Sequence, residues 1–237
     1  MTFKSNRSGD VLLWIGDPDC QAGHQFLLDR LKTTTHYFIS MSEPLGTRRK
    51  GNLGEFIAFE IGKGTAALAQ TLRFCANAAN PLNNISISDL DITWVHFAPD
   101  PSGDHAYIQE VKTTSQMDLA YASTLADDYS KLFGTNIALT LNTRLQVISN
   151  KLEHEHGAPG LAKRAAQLAS IRPEHATKIR LIPTIVHDKS SSSPVTKLTA
   201  IKSEIAGYGW LAASIDPCAI ALSDLEDRLL RLARGQP

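Results

Sequence analysis

The sequence predicts an α/β protein built on a central mixed β-sheet flanked by helices. Three observations lead there. Two runs rich in β-branched and aromatic residues, ISISDLDITWVHF and HAYIQEVKTT, bracket the dense turn signal APDPSGD, which reads as an antiparallel hairpin. Leu53, Phe56, Ile57 and Ile61 recur at spacings of three and four, the period of a helix with one apolar face. Strand-like and helix-like segments then follow one another to the C-terminus with no internal repeat and no clear linker.

In chain order, residues 11–15 read as a short apolar strand, 22–32 as a helix and 36–41 as a second strand. TRRKGN reads as a basic turn. The helix carrying Leu53 is expected to falter at Gly62 and Gly64, resume through TAALAQTLRFCANAA and stop at Asn80-Pro81. After the hairpin, residues 116–133 read as helix, with Leu119, Leu125 and Leu132 among the apolar positions. NIALTLNT reads as a strand or the start of one, LAKRAAQLAS as a basic helix, KIRLIPTIVHD as a strand and KSSSSP as a loop. GWLAASID reads as a strand. LSDLEDRLLRLAR reads as an amphipathic helix, with Ser223 as N-cap and Glu226 three residues later.

Bulk properties exclude several classes. Apolar residues make up 43% and charged residues 20% of 237, a globular rather than a disordered composition, and the length suits a single domain. Lys plus Arg and Asp plus Glu balance at 24 each, so a global basic field is absent and any nucleic-acid contact must come from a local patch. Cys20, Cys75 and Cys218 are far apart, without zinc-ligand spacing, and fit a reducing compartment. The N-terminal apolar run is too short for a signal peptide or a membrane span, so a soluble cytoplasmic protein is expected. P-loop, dinucleotide-binding and serine-nucleophile patterns are absent.

The chemistry-bearing stretch is YIQEVKTTS, residues 107–115. Side chains alternate along a strand, so Glu110 and Lys112 share a face with Ala106 and Ile108. Asp89 and Asp91 likewise share a face of the preceding strand. Folding the hairpin about residues 100–102 sets Glu110 opposite residues 91–93 and brings Asp91 beside Glu110 and Lys112. Two carboxylates offer hard oxygen ligands for Mg²⁺, and a lysine beside them can stabilise developing negative charge. GNLGEFIAFEIG offers Glu55 or Glu60 as a further carboxylate. They lie about 140° apart around a helix, so one must be chosen. Glu55, after a glycine at the expected helix start, is preferred.

This order of helix with Gly-Glu, strand with Asp91, hairpin and then Glu-Val-Lys resembles the PD-(D/E)XK nuclease superfamily over residues 50–135. The resemblance implies a restriction-endonuclease-like sheet, with residues 1–49 and 136–237 as elaborations of one domain. It also implies Mg²⁺-dependent cleavage of phosphodiesters, with Mn²⁺ as a substitute. Asp91 and Glu110 would be metal ligands, Lys112 the catalytic lysine, and Glu55 and the Val111 backbone carbonyl further ligands. The literal Pro99-Asp100 departs from this assignment. Asp100 sits in the turn, on the order of 25–30 Å from Glu110 along an extended strand.

Other residues carry plainer readings. Arg48, Arg49 and Lys50 precede the site helix and read either as a grip on DNA phosphates beside the cut or as a solvated turn. Lys163 and Arg164 read as an exposed helix face. His154 and His156 match no helical zinc motif and read as solvated. Trp94 reads as core and Asp127-Asp128 as solvent-facing. Tyr129 stands where some exonuclease-like members place an active-site tyrosine, but without the accompanying glutamine. A weaker resemblance, resting on the same core motif, is to the nuclease subunit of the two-component Hachiman antiphage defence system. The expectation is a Mg²⁺-dependent DNA nuclease acting as an antiviral effector, controlled by a helicase-like partner or by self-association. The alternatives are an inactive nuclease-like scaffold and an RNA-processing nuclease.

Overall fold

Among the described residues, seven strands form one mixed sheet in the order β1-β2-β7-β6-β5-β4-β3. They are β1 (Lys4–Ser8), β2 (Val11–Ile15), β3 (Leu72–Cys75), β4 (Ile92–His96), β5 (His105–Thr114), β6 (Ile179–Asp188) and β7 (Cys218–Leu222). The helices are α1 (Gln21–Thr34), α2 (Thr47–Gly64), α3 (Thr124–Leu132), α4 (Ile137–His154), α5 (Pro159–Ala169), α6 (Pro194–Gly207) and α7 (Leu225–Ala233). The computed structural model describes residues 4–15, 21–35, 37–65, 68, 71–75, 80–82, 90–132, 137–169 and 177–237. Asp89, Cys20 and part of the first hairpin run lie outside the described residues.

The α/β class holds. β5, β6 and β7 run parallel, as do β2 and β7, while β3, β4 and β5 form an antiparallel meander. Parallel neighbours need crossovers, and α3–α5 and α6 supply them. Each face of the sheet is covered. Leu125, Leu145, Ile148, Ala165 and Leu198 of α3–α6 pack with Val95, Ile108, Leu181 and Ile185 on one face. Leu27, Phe56, Ile57 and Leu229 of α1, α2 and α7 pack with Trp94, Val111, Ile182 and Ile220 on the other. Each such fully buried side chain contributes roughly 1.5–3 kcal/mol. β6 carries Pro183 in mid-strand, yet no ladder bond is sacrificed on the β7 side. There the continuous pairing starts only at Thr184.

Several segments differ from the sequence reading. Residues 37–40 make no strand; Ile39 N–H instead bonds the Ala233 carbonyl at 3.0 Å, tying this stretch to the end of α7. Leu72–Cys75, read as helix, is edge strand β3, because pairing with β4 outweighs the local helical pattern. From Ile137 on, the NIALTLNT stretch opens α4 and is not a strand. The strand expected over 209–216 is a 3-10 turn at Ala212–Ser214, and β7 begins after it. α6 fills the stretch after the serine loop.

TRRK is the first turn of α2, not a free turn. α7 is preceded by Asp224 in the left-handed region (φ 51°), which makes no side-chain cap bond. The orphan Leu225 N–H is taken by Asp188 Oδ2 from the end of β6, at 2.8 Å. Leu225, Leu229 and Leu232 of α7 are buried against this chain's own sheet. Among the described residues no helix is long and apolar enough to cross a membrane.

Candidate active site

The hairpin register places the site. Ile92 pairs with Gln109, the last β4–β5 pair, so Asp91 stands where the β4 backbone leaves the ladder, level with Glu110. Its carboxylate takes over there: Val111 N–H donates to Asp91 Oδ2 at 2.7 Å. Asp91 N–H in turn points at Glu110 Oε1, a long contact of 3.4 Å. Asp91 therefore sits one residue ahead of β4, with its carboxylate turned inward although the residue as a whole is half-buried. Glu110 is buried.

Lys112 stands two residues on, on the same face, and its Nζ lies 2.5 Å from Asp128 Oδ2 on α3. Asp128 is half-buried here, not solvent-facing; Asp127 beside it is exposed. The other Asp128 oxygen meets Lys131 at 3.1 Å. Tyr129 is fully buried. Its hydroxyl accepts from Glu110 N–H at 3.1 Å and donates to the Ile108 carbonyl at 3.2 Å. Tyr129 is thus a pin that locks α3 to β5. Arg144 of α4 backs the site, donating to the Leu90 carbonyl at 3.2 Å. Asp128 and Arg144 carry no local sequence signal. Only the docking of α3 and α4 over β5 brings them to the hairpin.

Charges in the cluster perturb one another. Burial pushes the Asp91 carboxyl up to about 6, against the pull of the Val111 N–H and Lys112. Burial, then the Asp91 and Asp128 carboxylates, raise Glu110 well above the usual carboxylate range. Burial works to lower Lys112, but Asp128, then Asp91 and Glu110, outweigh it and hold the ammonium above its ordinary value. Burial, then Glu110, pushes the Tyr129 phenol well up. Two adjoining carboxylates thus lie in low dielectric with too little positive charge facing them.

That donor set fits a hard divalent cation, which takes oxygen ligands and, for Mg²⁺, keeps several waters. Asp91 and Glu110 would hold it, and the Val111 carbonyl faces the same edge of β5 as the Val111 N–H. Glu55 belongs elsewhere in the layers. Gly54 packs so closely on Thr113 that a Cβ on it would sit 1.7 Å from Thr113 Oγ1. α2 therefore covers the face of β5 that carries Val111 and Thr113, opposite the face of Glu110 and Lys112. Glu55 is buried in the middle of α2, not at its start, so the dipole argument for it falls away. Glu60 is held by Lys63 at 2.7 Å and faces Arg30. Among the described residues, no three His, Cys, Asp or Glu side chains are gathered as a metal site.

Arg48, Arg49 and Lys50 lie in the first turn of α2. Glu226 at the start of α7 links Lys50 to the end of β5, pairing with Lys50 and accepting from Ser115 Oγ at 2.8 Å. Arg49 donates to the Leu82 carbonyl at 2.9 Å and pairs with Glu43, while Arg48 is exposed. On the sequence expectation that these residues contact phosphates, replacing all three by alanine weakens nucleic-acid affinity and flattens its salt dependence, because each phosphate no longer neutralised keeps its counterion. Titration against labelled DNA at several salt concentrations reads this, and an unchanged slope returns the turn to a purely structural role.

Asp100 sits at the far end of the hairpin, exposed, with Oδ1 accepting from Ser102 N–H at 2.9 Å. It is a turn-former. Asp100→Ala is expected to leave any cleavage within about twofold of wild type, since exposed turn substitutions cost little. A loss as deep as that of Asp91→Ala would restore the literal Pro-Asp reading.

Arg164 turns inward, donating to Asp104 Oδ2 at 2.8 Å and to the Ala98 carbonyl at 2.6 Å, whereas Lys163 is exposed. His154 and His156 are exposed. Trp94 is core, its indole N–H on Gln109 Oε1 at 2.9 Å. No protein-family model matches the chain, and no curated protein matches its sequence.

Proposed function

We propose that this chain is a Mg²⁺-dependent nuclease of the PD-(D/E)XK type that hydrolyses DNA phosphodiester bonds. One observation carries the reading: Asp91, Glu110 and Lys112 meet at the point where β4 leaves β5, with the Asp91 carboxylate on the Val111 N–H. Asp91, Glu110 and the Val111 carbonyl would hold the cation, with Mn²⁺ able to substitute. When bound, the cation polarises the phosphodiester and makes its bound water acidic. Lys112, kept as an ammonium, orients the attacking water and faces the charge that builds on the phosphoryl oxygens. Tyr129 fixes the β5 backbone at Glu110, so the carboxylate is positioned before substrate arrives.

The test is a Mg²⁺- and Mn²⁺-supplemented cleavage assay on duplex DNA, single-stranded DNA and RNA, with Glu110→Ala as control. Cleavage of RNA alone would make this an RNA-processing enzyme. No metal-dependent cleavage of any form, with Glu110→Ala indistinguishable, would make it an inert scaffold.

The chain carries a formal charge of zero, so no strong field holds it on DNA. We infer that its activity depends on assembly, with a helicase-like partner or a second copy, in an antiphage defence role. The purified chain is expected to cut slowly alone and faster with proteins encoded beside it. Rapid unaided cleavage by a monomer would remove the partner and leave the nuclease reading standing.

A further inference from the structure

We propose that Asp128 is the positioning residue for Lys112, a role no motif in the sequence assigns to it; the inference rests on the nuclease reading above. Lys112 Nζ sits 2.5 Å from Asp128 Oδ2. α3 cannot drift, because Tyr129, the next residue, is bonded to β5 at both Glu110 N–H and the Ile108 carbonyl. Leu125 and Ala126 of the same helix are fully buried. The carboxylate is therefore anchored by its own backbone rather than by its partner.

A lysine has a long, flexible stem and loses rotamer freedom when it must act from one place. Here that freedom is removed beforehand. Two other carboxylates, Asp91 and Glu110, also attract this ammonium. Without Asp128, Lys112 falls back on that pair and occupies the oxygens that hold the cation. With Asp128, the ammonium is kept beside the pair and the pair stays open. Lys131 meets the other Asp128 oxygen but is 74% exposed, so water screens it and it competes weakly.

The experiment compares wild type, Asp128→Asn and Asp128→Glu. Asn keeps the shape without the charge; Glu keeps the charge with a longer reach. One arm acylates the metal-free protein briefly with an acetyl N-hydroxysuccinimide ester and measures Lys112 modification by peptide mass spectrometry, with the exposed Lys163, which does not touch Asp128, as internal reference. The other arm measures kcat and KM for Mg²⁺-dependent DNA cleavage.

Asp128→Asn is expected to change Lys112 labelling relative to Lys163 and to lower kcat by about 10- to 100-fold at little change in KM, the size of effect a misplaced catalytic group gives. Asp128→Glu recovers part of kcat. Unchanged Lys112 labelling in Asp128→Asn overturns the proposal whatever the cleavage arm reads. Altered labelling with kcat unchanged overturns it too, as does an equal loss in Asn and Glu. If wild type does not cut, the nuclease reading fails separately, and the labelling arm alone decides whether Asp128 holds Lys112. If Asp128→Asn does not fold, the Glu variant carries both arms.

Discussion

Asp91→Ala, Glu110→Ala and Lys112→Ala are each expected to reduce Mg²⁺-dependent cleavage by about 10²- to 10³-fold or more while the circular dichroism spectrum stays that of wild type. The three side chains have distinct duties, so the losses should differ in kind. Removing Asp91 takes one proposed metal ligand and also leaves the Val111 N–H without its acceptor at the edge of β5. Removing Glu110 deletes the other proposed carboxylate ligand, but its contact with Asp91 N–H is long and its backbone remains pinned by Tyr129, so the strand is retained. For both, more Mn²⁺ should recover part of the rate, because weaker holding of the cation is compensated by mass action. Lys112→Ala leaves the ligands in place, so added metal should not restore it. Normal cutting by all three variants in Mg²⁺ would show the site assignment to be wrong.

Much of this site is legible in the sequence, for a local reason. The turn signal at residues 98–104 and the alternation in HAYIQEVKTT fix a hairpin whose register follows by counting, and β5 lies at the expected His105–Thr114. Counting from the turn puts Asp91 at Glu110 without further knowledge of the fold.

What the sequence hides depends on layers. Whether Glu55 shares the face of Glu110 turns on which side of the sheet α2 packs, and no periodicity within α2 carries that. Gly54 against Thr113 is what reveals the opposite face. Asp128 reads as one of two acids in a row, and only the Tyr129 bond to β5 sets the helix phase that aims it at Lys112.

The misread elements have the same origin. LRFC is too short to announce itself inside an alanine-rich run, and β4 recruits it. NIALTLNT has the β-branched content of a strand, but from Ile137 it opens a helix whose later positions Leu145, Ile148 and Leu152 cover the sheet.

The metal-free protein is expected to lose stability as pH rises from about 4 to about 6. Asp91 ionises near its ordinary value of 3.8 in the unfolded chain and at about 6 in the folded one. The folded state therefore binds the proton more tightly. Its stabilising effect is complete below the unfolded value, fades through the window between the two, and is gone above the folded one. At about 1.4 kcal/mol per pH decade the gap amounts to roughly 3 kcal/mol.

Glu110 is raised as well and faces Asp91, so the two behave as a pair in which the first charge opposes the second. Asp91→Asn keeps an oxygen for the Val111 N–H and deletes one of the two charges. It should stabilise the chain at pH 7.5 in chelator by about 1–3 kcal/mol and flatten the decline between pH 4 and 6. Mg²⁺ should then raise the urea midpoint of wild type but not of Asp91→Asn, since a ligand stabilises only the form that binds it. Urea melts across that pH range, with and without Mg²⁺, measure both effects. A wild-type curve that rises over this window, or an Asp91→Asn protein weaker at pH 7.5 than wild type, would mean that the Asp91 carboxylate serves the fold through the Val111 N–H and is not an uncompensated charge waiting for a cation.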